Sequence, residues 1–352
     1  MPTDAPLPAI AAPTVGVVVL AWQDEQWLFE CLDAVMASKD VDVRVVLVDN
    51  GCTRTDLGAL VSRVGVTVLT PGENTGFAGG CNLGVDALTA SPVPPAYVAL
   101  VNSDCILAPD ALGQLVAEAR KPEAGPVMAS VRLADSPELI NSAGNPVHLL
   151  GVSWAGDLEE PESRTAPFDV AGASGAALLL RRGLWERLGG FDDAYFAYLE
   201  DTELSLRCAR LGLHARCVPT AVARHHYEFS RNATKMYLLE RNRLMLLATM
   251  WPARALALLL PLLCVLELGI TARAVAQGWG RHKARGWLWL WRNRSHVRAR
   301  RTQLQAESVL ADSDWMCVLT AHLDPRVIGS APATQAANVL VGGYWSVVRR
   351  LL

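Results

Sequence analysis

Apolar positions along the chain fall first into short unbroken runs and then into helically spaced ones. Val15 to Leu20 is a continuous valine-rich run, which predicts a strand buried on both faces. After a polar turn, Trp27, Leu28, Cys31, Leu32, Val35 and Met36 recur at helical spacing. Val43 to Val48, Val66 to Leu69 and Ala96 to Val101 repeat the strand pattern, with helices predicted at about 54–64 and 78–89. Strands alternating with helices predict a mostly parallel sheet with right-handed crossovers. Ligands of such sheets bind beyond the carboxyl ends of the strands. Two acids stand there: Asp49 after the second strand, followed by Asn50, and Asp104 in Asn102-Ser103-Asp104 after the fourth. Either alone reads as a turn residue or helix N-cap. Together, at equivalent strand ends, they mark one crevice.

Composition narrows the class. At 352 residues, 51% hydrophobic and 19% charged, with mean hydropathy +0.21, the chain is too apolar for global disorder and long enough for about two domains. Met1 to Thr14 has no basic n-region or apolar run and reads as a loose tail rather than a signal peptide. Eight scattered cysteines without a C-x-x-C pair write neither a zinc ribbon nor a disulfide scaffold, and a reducing compartment is expected. The glycine cluster Gly76 to Gly84 lacks both the G-x-G-x-x-G order and a P-loop Lys-Ser/Thr, which argues against a dinucleotide fold.

The blocks VVVLAWQDEQWLFECLDAV, VLVDNGCTRTD, ENTGFAGGCNLGV, VALVNSDCILAPDAL, GASGAALLLRRGLWERLGGFDDAYFAYLEDTELSLRCARLG and VARHHYEFS occur in order between about 15 and 245. In that order they resemble the family 2 inverting glycosyltransferases, and especially the bacterial rhamnosyltransferase and galactofuranosyltransferase-like branch. The resemblance implies an α/β fold of GT-A type with a mostly parallel central sheet, and a catalytic domain over 15–245. Residues 15–125 would form the nucleotide and donor half, and 126–245 the acceptor and catalytic-base half.

The same resemblance implies a nucleotide diphosphate sugar donor and Mg²⁺ or Mn²⁺, held by the last acid of the Asn102-Ser103-Asp104 motif. Asp104 is its only carboxylate, which suits an ion that keeps waters and phosphate oxygens in its shell. His225, five residues before Ser230, is the implied second metal ligand, with His226 as its rival. A surface-loop role for both histidines is the alternative.

Inversion needs a base opposite the leaving group. The resemblance assigns it to Asp201 of the Glu200-Asp201 pair. A helix start there is compatible, and its dipole is expected to hold the Asp201 pKa low. Glu203 and Arg207, four apart, are expected to ion-pair. Donor contacts are implied for Ala21, Trp22, Asp49, Asn50, Gly76, Asn82, Asn102 and Ser103. Ala21-Trp22-Gln23 replaces the family's asparagine-flanked triplet, with Trp22 keeping an aromatic face. Close helix packing is the expected role of Gly79, Gly80 and Gly84. Residues 126–180 should carry acceptor and sugar recognition. There Gly172 to Leu180, containing Gly175, leads a strand, and Trp154 is a candidate sugar-stacking residue or loop anchor. Asp157 to Pro167 reads as an exposed loop.

Beyond 245 a helical region to 352 is expected. Residues 255–272 are almost wholly apolar, interrupted by Pro261 and Glu267. Nine Lys and Arg and no acid follow between 273 and 301, interleaved with Trp279, Trp287, Trp289 and Trp291. A single span would carry those charges across the membrane, so an interfacial or re-entrant arrangement at the cytoplasmic face of the plasma membrane is expected. A core helix of a soluble subdomain is the alternative. The leading reading is a metal-dependent inverting glycosyltransferase acting on a glycan or polyprenyl-linked acceptor in cell-wall or surface polysaccharide synthesis. Its expected partners are the donor, that acceptor and a membrane surface through 255–301, with no nucleic acid. A sugar nucleotidylyltransferase would want a basic glycine-rich loop after the first strand. A non-catalytic nucleotide-sugar-binding module would have lost Asp104 or Asp201.

Overall fold

The computed structural model describes residues 12–23, 26–52, 65–226, 232–325 and 331–352. The helix expected at 54–64, most of the N-terminal tail and Ser230 lie outside the described residues. Strands β1 (Thr14–Ala21), β2 (Asp42–Asp49), β3 (Val66–Leu69), β4 (Tyr97–Asn102), β5 (Cys105–Leu107), β6 (Ala124–Leu133), β7 (Ser136–Ser142), β8 (Phe168–Val170), β9 (Ala177–Arg181) and β10 (His214–His225) form one sheet. Its order is β3-β2-β1-β4-β9-β6-β10-β5, with β7 beside β6 and β8 beside β10. The expected parallel set is β3-β2-β1-β4. Antiparallel β9 joins it to the parallel pair β6 and β10, so that only β5, β7, β8 and β9 run the other way.

Alternation along β1 shows why its run had to be apolar throughout. Val15, Val17 and Val19 enter one core with helix α1 (Leu28–Met36) and helix α3 (Ala111–Ala119). Val18 enters a second core on the other face, with helices α2 (Gly76–Thr89), α4 (Arg182–Leu188) and α5 (Glu200–Arg210). Gly80 and Gly84 let α2 lie directly on β1. A Cβ at either would meet Leu20 at 2.1 Å or Val18 at 2.4 Å, so the close-packing role holds.

C-terminal to the sheet come α6 (Ala233–Met250), α7 (Ala253–Ala276), α8 (Gly280–Arg292), α9 (Arg294–Ala306), the short α10 (Asp312–Trp315) and α11 (Ala331–Leu351). A third core unites Met245, Met250, Trp251 and Trp315 with Val147, Leu149, Tyr195 and Leu206 of the sheet-bearing part. The C-terminal helices are therefore packed into the catalytic body. Of the apolar window of α7, 11% is buried, with Ala255 and Leu259 in this third core. Its acid, Glu267, is turned inward to Arg243 and Lys283, leaving Leu260, Val265 and Leu268 exposed. Asp157 to Pro167 is a largely exposed loop as expected.

The catalytic body and the C-terminal segment are also joined by backbone. Leu149 N–H donates to the Thr320 carbonyl at 3.0 Å, and Thr320 N–H to Val147 at 2.9 Å. His148 is fully buried at this joint, with Nδ1 accepting the Leu150 N–H at 3.2 Å. Burial pulls its pKa from 6.5 down to about 4. Between those values the unfolded chain binds a proton that the folded one refuses. Stability should therefore fall as pH drops through that window, by up to about 3 kcal/mol. Melting across this range should show the slope in the native protein and a much weaker one in His148→Asn, whose amide oxygen replaces Nδ1; equal slopes would place the acid-sensitive group elsewhere.

Candidate active site

Asp104 lies between β4 and β5, and β5 pairs with the end of β10 so that Cys105 faces His225. That register sets His225 Nε2 3.1 Å from Asp104 Oδ1. The other ring nitrogen, Nδ1, lies 2.9 Å from Asn141 Oδ1 at the end of β7. With Nδ1–H donating to Asn141, Nε2 presents its lone pair to the Asp104 carboxylate. Two such atoms side by side, one oriented from behind by an amide, suit a shared divalent cation. Among the described residues no group of three or more His, Cys, Asp or Glu is gathered, so donor oxygens and water would complete the shell, as Mg²⁺ and Mn²⁺ tolerate. The His226 ring is placed otherwise, stacked on Trp27 at 3.6 Å, while the His226 backbone N–H donates to the Asp104 carbonyl.

From this strand end the path to the acid pair is short. Asn102 N–H donates to the Ala176 carbonyl at 2.9 Å, and the neighbouring Gly175 N–H donates to Asp201 Oδ2 at 2.8 Å. Asp201 Oδ1 accepts from the Thr202 N–H at 2.6 Å and hydroxyl at 3.2 Å. Three bonds leave one of a carboxylate's roughly four acceptor positions for a substrate hydroxyl. Gly175, expected at the sugar, thus orients the Asp201 carboxylate. A Cβ there would lie 3.2 Å from the Phe77 ring.

Glu200-Asp201 opens α5, as expected. The expectation of a low Asp201 pKa is corrected. Burial raises it above the aspartate range, outweighing the N–H donors of Gly175 and Thr202. Glu200 is buried, and burial with the adjacent Asp201 charge pushes it well above the carboxylate range. Glu203 and Arg207 pair at 2.8 Å, as expected. Asp192 and Asp193 are engaged elsewhere: Asp192 with the Ala194 N–H and His296, and Asp193 with Asn82.

At the nucleotide end, Trp22 is 47% exposed and lies near Gly51 at the tips of β1 and β2. Asp49 Oδ1 caps the following turn, accepting from Gly51 and Cys52 N–H at 3.2 and 2.8 Å. Its Oδ2 lies 3.5 Å from the Thr70 hydroxyl. Several other residues expected at the donor are bonded within the protein. Ala21 is buried and its carbonyl accepts the Asn50 N–H. The Asn50 side chain is spent on Asn74, Thr75 and Gly76, and the Asn82 side chain on Phe191 and Asp193. Gly76, at φ +73°, lies against Phe196, where a Cβ would meet the backbone oxygen at 2.3 Å. Ser103 is buried, Asn102 ends β4, and Trp154 is half-buried in the segment before the exposed loop.

Sequence reasoning missed what holds the turn before Glu200-Asp201. Phe196, Tyr198 and Leu199, immediately before Glu200, have φ of 62°, 72° and 70°. A non-glycine residue in that region costs on the order of 1 kcal/mol or more, so the turn must be held from outside. The Asn242 amide on α6 donates to the carbonyls of Tyr195, Ala197 and Tyr198 at 2.7–2.9 Å. Beside it, Arg241 donates to Ala194 at 2.8 Å and Tyr195 at 2.5 Å. The available signal was Glu240-Arg241-Asn242-Arg243, a polar quartet in an otherwise apolar stretch.

A parallel nucleotide-side half, an acid paired with a histidine at one strand end and a buried acid pair nearby define a glycosyltransferase arrangement of GT-A type. Residues 12–245 match the family described as Glycosyltransferase like family 2, and the chain belongs to that family. It is 29% identical over 232 residues to the N-acetylglucosaminyl-diphospho-decaprenol L-rhamnosyltransferase of Mycobacterium tuberculosis strain H37Rv, covering 60% of this chain and 75% of the relative. It is 25% identical over 239 residues to the O-antigen biosynthesis protein RfbC of Myxococcus xanthus, covering 64% of this chain but only 18% of that protein. Among solved structures, GalNAc-T7 with UDP, GalNAc and Mn²⁺ superposes with TM-score 0.56 at 15% identity, over 68% of this chain and 48% of that one. The fold is GT-A, and the protein is a family 2 glycosyltransferase.

The raised Glu200 carboxyl has a measurable consequence. Its folded form keeps a proton that the unfolded chain releases near pH 4, so it withdraws stability as pH rises from there through its folded pKa. Glu200→Gln should lose that decline in melts across pH while continuing to transfer sugar; a variant with the native pH slope would refute the buried, protonated assignment.

Proposed function

We propose that the protein is a metal-dependent inverting glycosyltransferase that moves a sugar from a nucleotide diphosphate donor to a hydroxyl of a polyprenyl-linked glycan. The observation that carries this reading is the Asp104–His225 pair joined to Asp201 through Asn102, Ala176 and Gly175. In it, Asp104 and His225 hold the cation, Asn141 orients the histidine, and the exposed Trp22 face receives the base near Asp49. A divalent cation bound there supplies charge neutralisation for the departing diphosphate. Asp201 accepts the acceptor hydroxyl's proton as that oxygen attacks the anomeric carbon, and its raised pKa makes it a stronger base than an ordinary aspartate. Glu200, kept protonated beside it, adds no competing charge.

The lipid-linked acceptor is supported by the mycobacterial relative's substrate name and by the apolar surface beside the site. Exposed Leu260, Val265 and Leu268 of α7, Trp287, Leu288 and Trp291 of α8, and Val339, Leu340 and Val347 of α11 suit an interfacial seat on the cytoplasmic face of the plasma membrane. The role is then in cell-wall or surface polysaccharide synthesis.

Two variants separate binding from chemistry. Asp104→Ala should abolish Mn²⁺-dependent binding of a nucleotide diphosphate in calorimetry. Asp201→Asn should leave that binding nearly unchanged yet lower turnover by about 10² to 10⁴-fold. Native metal-dependent affinity in the first variant, or native turnover in the second, would overturn the assignment.

A further inference from the structure

A cavity of about 280 Å³ lies between α6 and α8, away from the Asp104–His225 pair, and is lined by Phe196, Thr234, Tyr237, Arg241, His282 and Arg285 among others. None of its lining residues is a carboxylate. Glu240 and Glu267, the acids of the neighbouring helix faces, are turned to Arg243 and Lys283, and Asp192, the acid whose charge reaches Arg241, is paired with His296 and Arg300. Arg285 is exposed, with its guanidinium 5.1 Å over the Tyr237 ring, and pairs with no acid among the described residues. Guanidinium groups, an imidazole and two hydroxyl-bearing side chains around one cavity form a donor set for a multiply charged oxyanion.

The two ends of the cavity say what kind of oxyanion. One wall is Phe196, whose ring packs on Gly76. The next residue, Phe77, lies against Gly175, which donates to Asp201. These contacts connect the cavity wall, through Gly76, Phe77 and Gly175, to Asp201. Toward solvent, the same helix α8 exposes Trp287, Leu288 and Trp291, and α7 exposes its apolar face. The arrangement suits a ligand with an apolar tail, a charged middle and a reacting head.

We propose that this cavity binds the diphosphate of the acceptor lipid, with Arg285 and His282 as its contacts and the prenyl chain lying along the exposed tryptophan face. The proposal rests on the lipid-linked acceptor reading above and adds the location and chemistry of its recognition. Arg241 belongs to both structures: its guanidinium lines the cavity and donates to Ala194 and Tyr195 in the turn before the base. A seated diphosphate would therefore bear on the element that aims Asp201.

Binding to the full chain in detergent, followed by tryptophan fluorescence, tests this with farnesyl diphosphate, farnesol, inorganic pyrophosphate and UDP with Mn²⁺ as probes. The native protein should prefer farnesyl diphosphate to both farnesol and pyrophosphate. Arg285→Ala and His282→Ala should each weaken farnesyl diphosphate by about tenfold, leaving farnesol and UDP with Mn²⁺ unchanged. Both residues are at least partly exposed, so the folded state should survive either change. A native preference for the diphosphate lipid that both variants retain would overturn the cavity assignment alone. No preference over farnesol in the native protein would overturn the lipid-diphosphate acceptor reading itself. Pyrophosphate bound as tightly as the lipid would show a free-anion site and overturn the proposal.

Discussion

The structure depends on a left-handed turn that the chain would not adopt unaided. Phe196, Tyr198 and Leu199 lead into Glu200-Asp201 with positive φ, and the carbonyls of Ala194, Tyr195, Ala197 and Tyr198 in and before that turn are gathered by Asn242 and Arg241 from a helix C-terminal to the sheet. Each hydrogen bond contributes about 1 kcal/mol net, and a buried carbonyl left unmet costs more. The clasp is therefore of the right size to offset the strain. The same turn seats Phe196 against Gly76 and gives its carbonyl to the Ala78 N–H at the start of α2. The turn before α5 and the start of α2 meet at this point.

This explains why the C-terminal helices share a core with the sheet. They are the outer support of the turn before Glu200-Asp201, and they also carry exposed apolar residues. Glu267, the one acid within the apolar run, is consumed by Arg243 and Lys283, which leaves Leu260, Val265 and Leu268 exposed between the arginines at the two ends of α7. One ion cluster thus anchors α7 and α8 to α6 and keeps their exposed faces suited to lipid.

The first hundred residues were legible because periodicity alone determines a doubly covered strand, and β1, β2 and β4 fall within a residue or two of their expected bounds. Asp104, His225 and Asp201 were legible through ordered motifs, and the fold brings the first two into contact. The role of Asn50 or Asn82 was not legible. A motif shows that an amide belongs at a position, whereas whether it faces a ligand or a loop depends on partners about 25 to 110 residues away. The Asp201 pKa was misjudged for a related reason. A helix dipole can be read locally, but desolvation comes from the packing of distant segments. Arg241 and Asn242 escaped notice because the turn they hold has no glycine to announce its positive φ.

The measurement that bears most directly on this account is the kinetics of Asn242→Ala, checked by circular dichroism for an intact fold. If the clasp aims the base, kcat should fall by about tenfold or more while the affinity for a nucleotide diphosphate with Mn²⁺ stays within about twofold, since Asp104 and His225 are held by different strands. Native kcat in a folded variant, or equal loss of metal-dependent donor affinity, would contradict the claim that this turn controls the chemistry of the site.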